Sequence, residues 1–174
     1  MTLKKSRVIA VIGTFLIGFI CHFAYDFLPN FVTSIFFPVN ESVFEHMKIL
    51  YTSILIYGII DYFILRKCDV SFNNFLLNLF ILCFSSVFIY LLLFLPIYYN
   101  FGENMFISIS LMVVVYSIVY YISYWILDNK EYSLGILPII FICLGYVVFG
   151  YLTYNPIKNQ IFYDTKHEVY GIYK

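Results

Sequence analysis

The residues able to do chemistry are few. All three histidines, His22, His46 and His167, stand within four positions of a carboxylate. Imidazole and carboxylate together form the usual donor set for a divalent metal such as zinc, and a carboxylate beside an imidazole can also fix its tautomer. A further carboxylate next to such an ion can serve as general base toward water. On these grounds His22, Asp26, His46 and Asp164 are the candidate metal ligands. Glu41 and Glu45 are the candidate catalytic carboxylates.

Their spacing shows how helices would present them. His22-Phe-Ala-Tyr-Asp26 is an i, i+4 pair on one helix face. In Asn40-Glu-Ser-Val-Phe-Glu-His-Met-Lys48, Ser42 and Glu45 fit a capping box that starts a helix. Helical periodicity then puts Glu41, Glu45 and Lys48 on one stripe and Ser42 and His46 on another. Glu45 and Lys48 can pair at the membrane surface. The His46 stripe continues through Leu50, Ser53, Tyr57 and Asp61 as a broken polar seam. Tyr57, Asp61 and Asn78 are expected as intramembrane polar residues, with Asp61 and Asn78 bonded across neighbouring helices or lining a proton or ion path. Tyr116, Tyr120 and Tyr124 repeat on one face, where they line a cavity or simply pack. Asp164 and His167 in the tail either complete a site by folding back or remain solvated.

The elements that position these groups follow from composition. Of the residues, 63% are hydrophobic and 11% charged, and the mean hydropathy is +0.90, whereas a soluble domain carries about 25% charged residues. Lipid is the solvent that accepts such a chain. Ten basic residues balance ten acidic ones, so nothing favours nucleic acid as a partner. Cys21, Cys68, Cys83 and Cys143 show no paired spacing, which argues against disulfides and thiolate zinc sites. The common hydrolase, protease and nucleotide-binding signatures are missing from the sequence.

The fold class expected is all-α, a polytopic transmembrane bundle of about five spans: 8–28, 42–65, 75–97, 105–127 and 134–154. A polar, tyrosine-bearing tail (155–174) follows, and the whole reads as a single membrane domain. The first span follows Lys4, Lys5 and Arg7 without a small-x-small cleavage site, so it is expected as a retained helix. Pro29–Val39 is too short to span and reads as an interfacial or re-entrant connection. Basic residues favour the N-terminus inside and the C-terminus outside, which puts every histidine at the outer face.

The stretch Pro38-Val-Asn-Glu-Ser-Val-Phe-Glu-His46 resembles a motif, P-V-N-E-S-x-aromatic-E-H, of a family of small polytopic membrane proteins from Gram-positive bacteria. The end of the first span, His22-Phe-Ala-Tyr-Asp26, is similar to that family's H-F-x-Y-D. Phe162–Asp164 and Tyr170-Gly171 resemble its tail. The resemblance implies a multi-pass protein of the bacterial cell membrane, implies no activity, and puts His167 in a variable part of the tail. Two functions remain open on the residues alone, beside a third reading in which the polar cluster is a purely structural clasp holding the first loop. One is a metal-dependent hydrolase or transferase acting on lipid or peptide. The other is a non-enzymatic small transporter or accessory subunit, with a membrane protein partner or a second copy of the chain.

Overall fold

A computed structural model describes residues 1–102 and 104–172. Apart from one two-residue strand pair, its elements are helices: α1 (Leu3–Phe27), α2 (Phe31–Phe36), α3 (Val43–Lys67), α4 (Phe75–Phe101), α5 (Met105–Asp128) and α6 (Leu137–Tyr154). Strands β1 (Tyr163–Asp164) and β2 (Val169–Tyr170) pair antiparallel. Five helices, α1 and α3 to α6, are long and apolar enough to cross a membrane.

The bundle is inverted relative to a soluble protein. On α1, Val8, Ile12, Leu16 and Ile20 form an outward stripe, each more than half exposed. The inward face of the same helix is Arg7, Ala10, Thr14, Gly18, Cys21 and Tyr25. Apolar side chains facing out and small or polar ones facing in suit helices that associate in lipid, where packing and hydrogen bonds replace the hydrophobic drive. The close approach this allows is clearest at Gly13, where a Cβ atom would overlap the Tyr57 ring.

Helix α3 lies at the centre, packed on α1 and α4, while α5 closes against both. Its core includes Leu50, Tyr51 and Ile54, which meet Leu82 and Cys83 of α4 and Val115 and Tyr116 of α5. The tyrosine face of α5 bonds inward. Tyr116 Oη lies 2.7 Å from Ser53 Oγ and Tyr120 Oη lies 2.6 Å from Thr14 Oγ1. Those contacts account for Tyr116 and Tyr120 as packing groups, and Tyr124 is half-buried with Lys4 against its ring.

Four boundaries differ from the sequence reading. Helix α1 starts at Leu3 because Thr2 caps it, accepting from the Lys5 amide. Helix α4 runs through Pro96 to Phe101, where Gly102 takes a positive φ of 75° and ends it. Helix α6 begins at Leu137, directly before Pro138, which sits where a missing N–H costs least. The 29–39 connection contains the short helix α2, opened by an Asn30–Thr33 capping box and joined to α6 by Ser34 and Tyr154 at 2.9 Å.

The Ser42–Glu45 capping box is only half formed. Ser42 Oγ accepts the Glu45 N–H at 3.3 Å, but the Glu45 carboxylate turns elsewhere. Its Oε2 accepts from the Val39 N–H at 3.0 Å and from Lys48 Nζ at 2.6 Å. Thr153 of α6 donates to its other oxygen at 3.0 Å. Lys48 Nζ also donates to Thr153 Oγ1 and the Ser34 carbonyl. Both charges are enclosed, Lys48 at 0% exposure and Glu45 at 1%. The pair therefore fastens α2, α3 and α6 together.

Candidate metal centre

Three side chains converge where α1 ends and α3 begins. His22 lies in the last turns of α1, Glu41 in the connection before α3, and His46 in the first turn of α3. Glu41 Oε2 lies 3.5 Å from His46 Nε2 and 3.9 Å from His22 Nε2. One donor atom from each residue falls within 4.8 Å of the others. The two imidazoles stack, with centroids 5.6 Å apart and planes 25° from parallel.

Local hydrogen bonding sets what these rings offer. His46 Nδ1 lies 2.9 Å from the Ser42 carbonyl, which can only accept. His46 must therefore carry its proton on Nδ1, so a neutral ring turns the lone pair of Nε2 toward the Glu41 carboxylate. A lone pair facing a carboxylate oxygen at 3.5 Å is repulsive unless a proton or a metal cation stands between them. An Nδ1–H bonded to a backbone carbonyl is also the usual support for a metal-ligating histidine. His22 Nδ1 is buried and has no hydrogen-bond partner among the described residues. Two histidines and one glutamate make a three-ligand set that leaves a coordination position open.

The C-terminal tail holds Glu41 in place. Asp164, fully buried, accepts the Glu41 N–H at 2.9 Å. It also accepts the backbone N–H groups of Lys166 and His167 and the ring Nδ1–H of His167. Burial works to raise this carboxyl, but these hydrogen bonds outweigh it and hold it below the ordinary carboxylate range. Asn40 Nδ2 donates to the Gly171 carbonyl at 2.7 Å, a second tie between the Glu41 loop and the tail. Lys166 Nζ reaches Glu41 Oε1 at 3.3 Å.

A cavity of about 450 Å³ opens beneath the cluster. Phe15, Gly18 and Phe19 of α1, Ile49 of α3, and Ile109 and Met112 of α5 supply apolar walls. His22, Glu41, His46, Lys166 and Ser108 of α5 supply the polar groups. Phe15 to His22 spans about 10 Å of helix, so the cavity is deep as well as wide. Phe19, Phe23 and Met105 line it and are also exposed on the outer surface of the bundle. A smaller cavity alongside is lined by His22, Asp26, Glu41 and His167, among others.

Of the residues singled out from the sequence, His22, His46 and Glu41 are thus brought together. Asp26 lies beside them on the wall of the small cavity. Asp164 is committed to backbone amides and His167, so it supports the Glu41 loop rather than offering a donor to the cluster. Glu45 is engaged with Lys48 and Thr153 and does not line either cavity. Asp61 sits toward the opposite end of the bundle with Arg7 as its partner. Asn78 is not bonded to it, and the Asn78 side-chain oxygen has no partner among the described residues. Tyr57 packs edge-on to Tyr120.

The sequence reading overlooked Lys166 and Arg7. Nothing local marks Lys166, which reaches Glu41 across 125 positions. Arg7 did leave a signal, since Arg7, Thr14, Gly18 and Tyr25 mark an unusually polar and small stripe for a spanning helix.

Compared with known proteins, the chain matches a family of unknown function, DUF6512, over residues 1–172. The chain belongs to DUF6512. The match covers every residue of the His22–Glu41–His46 cluster and the tail that supports it. No curated protein and no solved structure matches this DUF6512 chain.

Proposed function

We propose that the chain is a single membrane domain that binds one divalent metal, most simply zinc, through His22, Glu41 and His46, and uses it to cleave or transfer a group on a lipid-like substrate. The observation that carries this reading is a three-ligand cluster at the polar end of a deep apolar cavity. A binding site that is mainly apolar with a few convergent polar groups suits an amphiphile. Exposure of Phe19, Phe23 and Met105 on the outer surface supports entry of the substrate sideways from the bilayer.

When bound, the metal would polarise the scissile group and lower the pKa of a coordinated water. The protein's own groups do the rest. Glu41 divides its carboxylate between the histidines and Lys166. Glu45 is occupied by Lys48, so proton transfer falls to Asp26, which shares a cavity with His22 and Glu41. Lys4, Lys5, Arg66, Lys67 and Lys130 lie toward the opposite end of the bundle, which supports an outward-facing site.

Elemental analysis of purified protein tests the reading directly. One zinc per chain is expected, falling to a small fraction in His22→Ala, His46→Ala and Glu41→Gln proteins that keep their thermal transitions. Metal content that is negligible, or unaffected by these substitutions, would sink the proposal.

A further inference from the structure

The cavity and its rim also define the class of substrate, on the assumption that the metal site is as proposed. Apart from the two histidines, Lys166 is the only basic residue among the cavity's lining side chains within the described residues. Two hydrogen bonds to Asp164 hold this stretch of tail, through the backbone N–H of Lys166 and of its neighbour His167, while the Lys166 ammonium points at Glu41. The side chain itself remains largely exposed, so its donors are not used up by the protein.

The two oxygens of Glu41 are divided in a specific way. Oε2 faces both histidines, and Oε1 faces Lys166. A metal on the histidine side and an ammonium on the other are then bridged by one carboxylate. With the metal bound, the cavity's charges are the two of the ion and one from Lys166, against one from Glu41. Asp26, across the small cavity, removes one more. Asp164, ionised behind the Glu41 loop, offsets the remainder, but neither it nor Asp26 lines the large cavity, whose own ionised groups leave a positive balance over a largely apolar shaft. A positive rim that presents a metal and an ammonium side by side suits a ligand with several acceptor oxygens on one centre.

We infer that the substrate is a single-chain amphiphile with a phosphate headgroup. Its chain fills the shaft between α1 and α5, one phosphate oxygen meets the metal, and a second accepts from Lys166. The cavity volume of about 450 Å³ lies toward the lower end of small-molecule sites, which favours one chain over two. Neutral esters and amides lack the charge that Lys166 would recognise.

The experiment compares three probes on zinc-loaded protein in phosphatidylcholine nanodiscs. These are lysophosphatidic acid, the monoacylglycerol with the same chain, and inorganic phosphate. Lysophosphatidic acid is expected to bind at least about tenfold more tightly than monoacylglycerol, the discrimination of one charge-assisted contact. It should also exceed inorganic phosphate, which cannot use the shaft. Lys166→Gln should cut the preference for phosphate over the neutral lipid by about tenfold while keeping one zinc per chain. Ile109→Trp, which fills the shaft, should weaken both lipids and leave zinc unchanged. Equal affinity for the two lipids, or a preference that Lys166→Gln leaves unchanged, overturns the phosphate assignment while the metal site stands. Inorganic phosphate binding as tightly as the lipid overturns the role of the shaft. Wild-type protein without stoichiometric zinc overturns both readings together.

Discussion

Arg7 and Asp61, 54 positions apart in the chain, meet 2.5 Å apart inside the bundle and are almost wholly shielded from outside. Arg7 also donates to Ser123 of α5 at 3.0 Å, and its guanidinium lies over the Tyr120 ring. One basic side chain thereby joins α1, α3 and α5 at the end of the bundle away from the His22–Glu41–His46 cluster. Removing one partner of such a pair leaves the other charge buried and alone. Asp61→Leu and Arg7→Met should each destabilise the protein by roughly 3 kcal/mol or more, with much of the loss recovered in the double variant. Denaturant unfolding of the four proteins in micelles measures this. Additive losses would show that the pair is not coupled.

Two carboxylates four residues apart should respond oppositely to the same change. Glu41→Gln removes a donor from the cluster and should abolish zinc binding with little effect on the thermal transition. Glu45→Gln strands the fully buried Lys48 ammonium and should cost roughly 3 kcal/mol of stability. Zinc content at low temperature should be preserved in the Glu45 variant. Paired melting curves and elemental analyses separate the two outcomes.

Acid should release the tail before it unfolds the bundle. The Asp164 carboxyl titrates below its unfolded value, so its contribution to stability is present above that value, about 3.9, and is lost as pH falls through the lower folded one. Limited proteolysis between residues 155 and 172 should therefore accelerate only below about pH 4. Asp164→Asn should show the fast rate already at neutral pH. Equal rates for wild type and variant at pH 7 would show that Asp164 does not hold the tail.

Gly13 tests the packing of α1 on α3. A methyl group there would collide with the Tyr57 ring, and the rings behind it leave little room to yield. Gly13→Ala should cost about 1–3 kcal/mol, the usual penalty of overpacking. Gly13→Ala combined with Tyr57→Leu should regain part of it. Unfolding midpoints in a common detergent provide the comparison.

Much of the fold could be read from the sequence because spanning segments announce themselves by length and apolarity, as α3 and α5 show within a few residues. The short helix α2 was harder, since its Asn30 cap and proline flanks describe a turn equally well. At the centre, His22 and His46 stood out as imidazoles at helix ends. Choosing between Glu41 and Glu45 was not possible from spacing. Both lie beside His46, and what separates them is a distant partner: Thr153 and the buried Lys48 for Glu45, the tail for Glu41. Nothing in the sequence ties Asp61 to Arg7, which reads as one more basic residue before the first span. Long-range polar partners of this kind leave no periodicity to detect.

The hydrogen bonds from Glu41 to Asp164 and from Asn40 to Gly171 have a consequence for biosynthesis. Both partners in the tail are translated after α6. While the ribosome is still making the chain, His22 and His46 can already be in place, but Glu41 has nothing to lean on. These ties to the Glu41 loop thus form only after residues 164 and 171 have been made, so a chain truncated or stalled before them would lack that support.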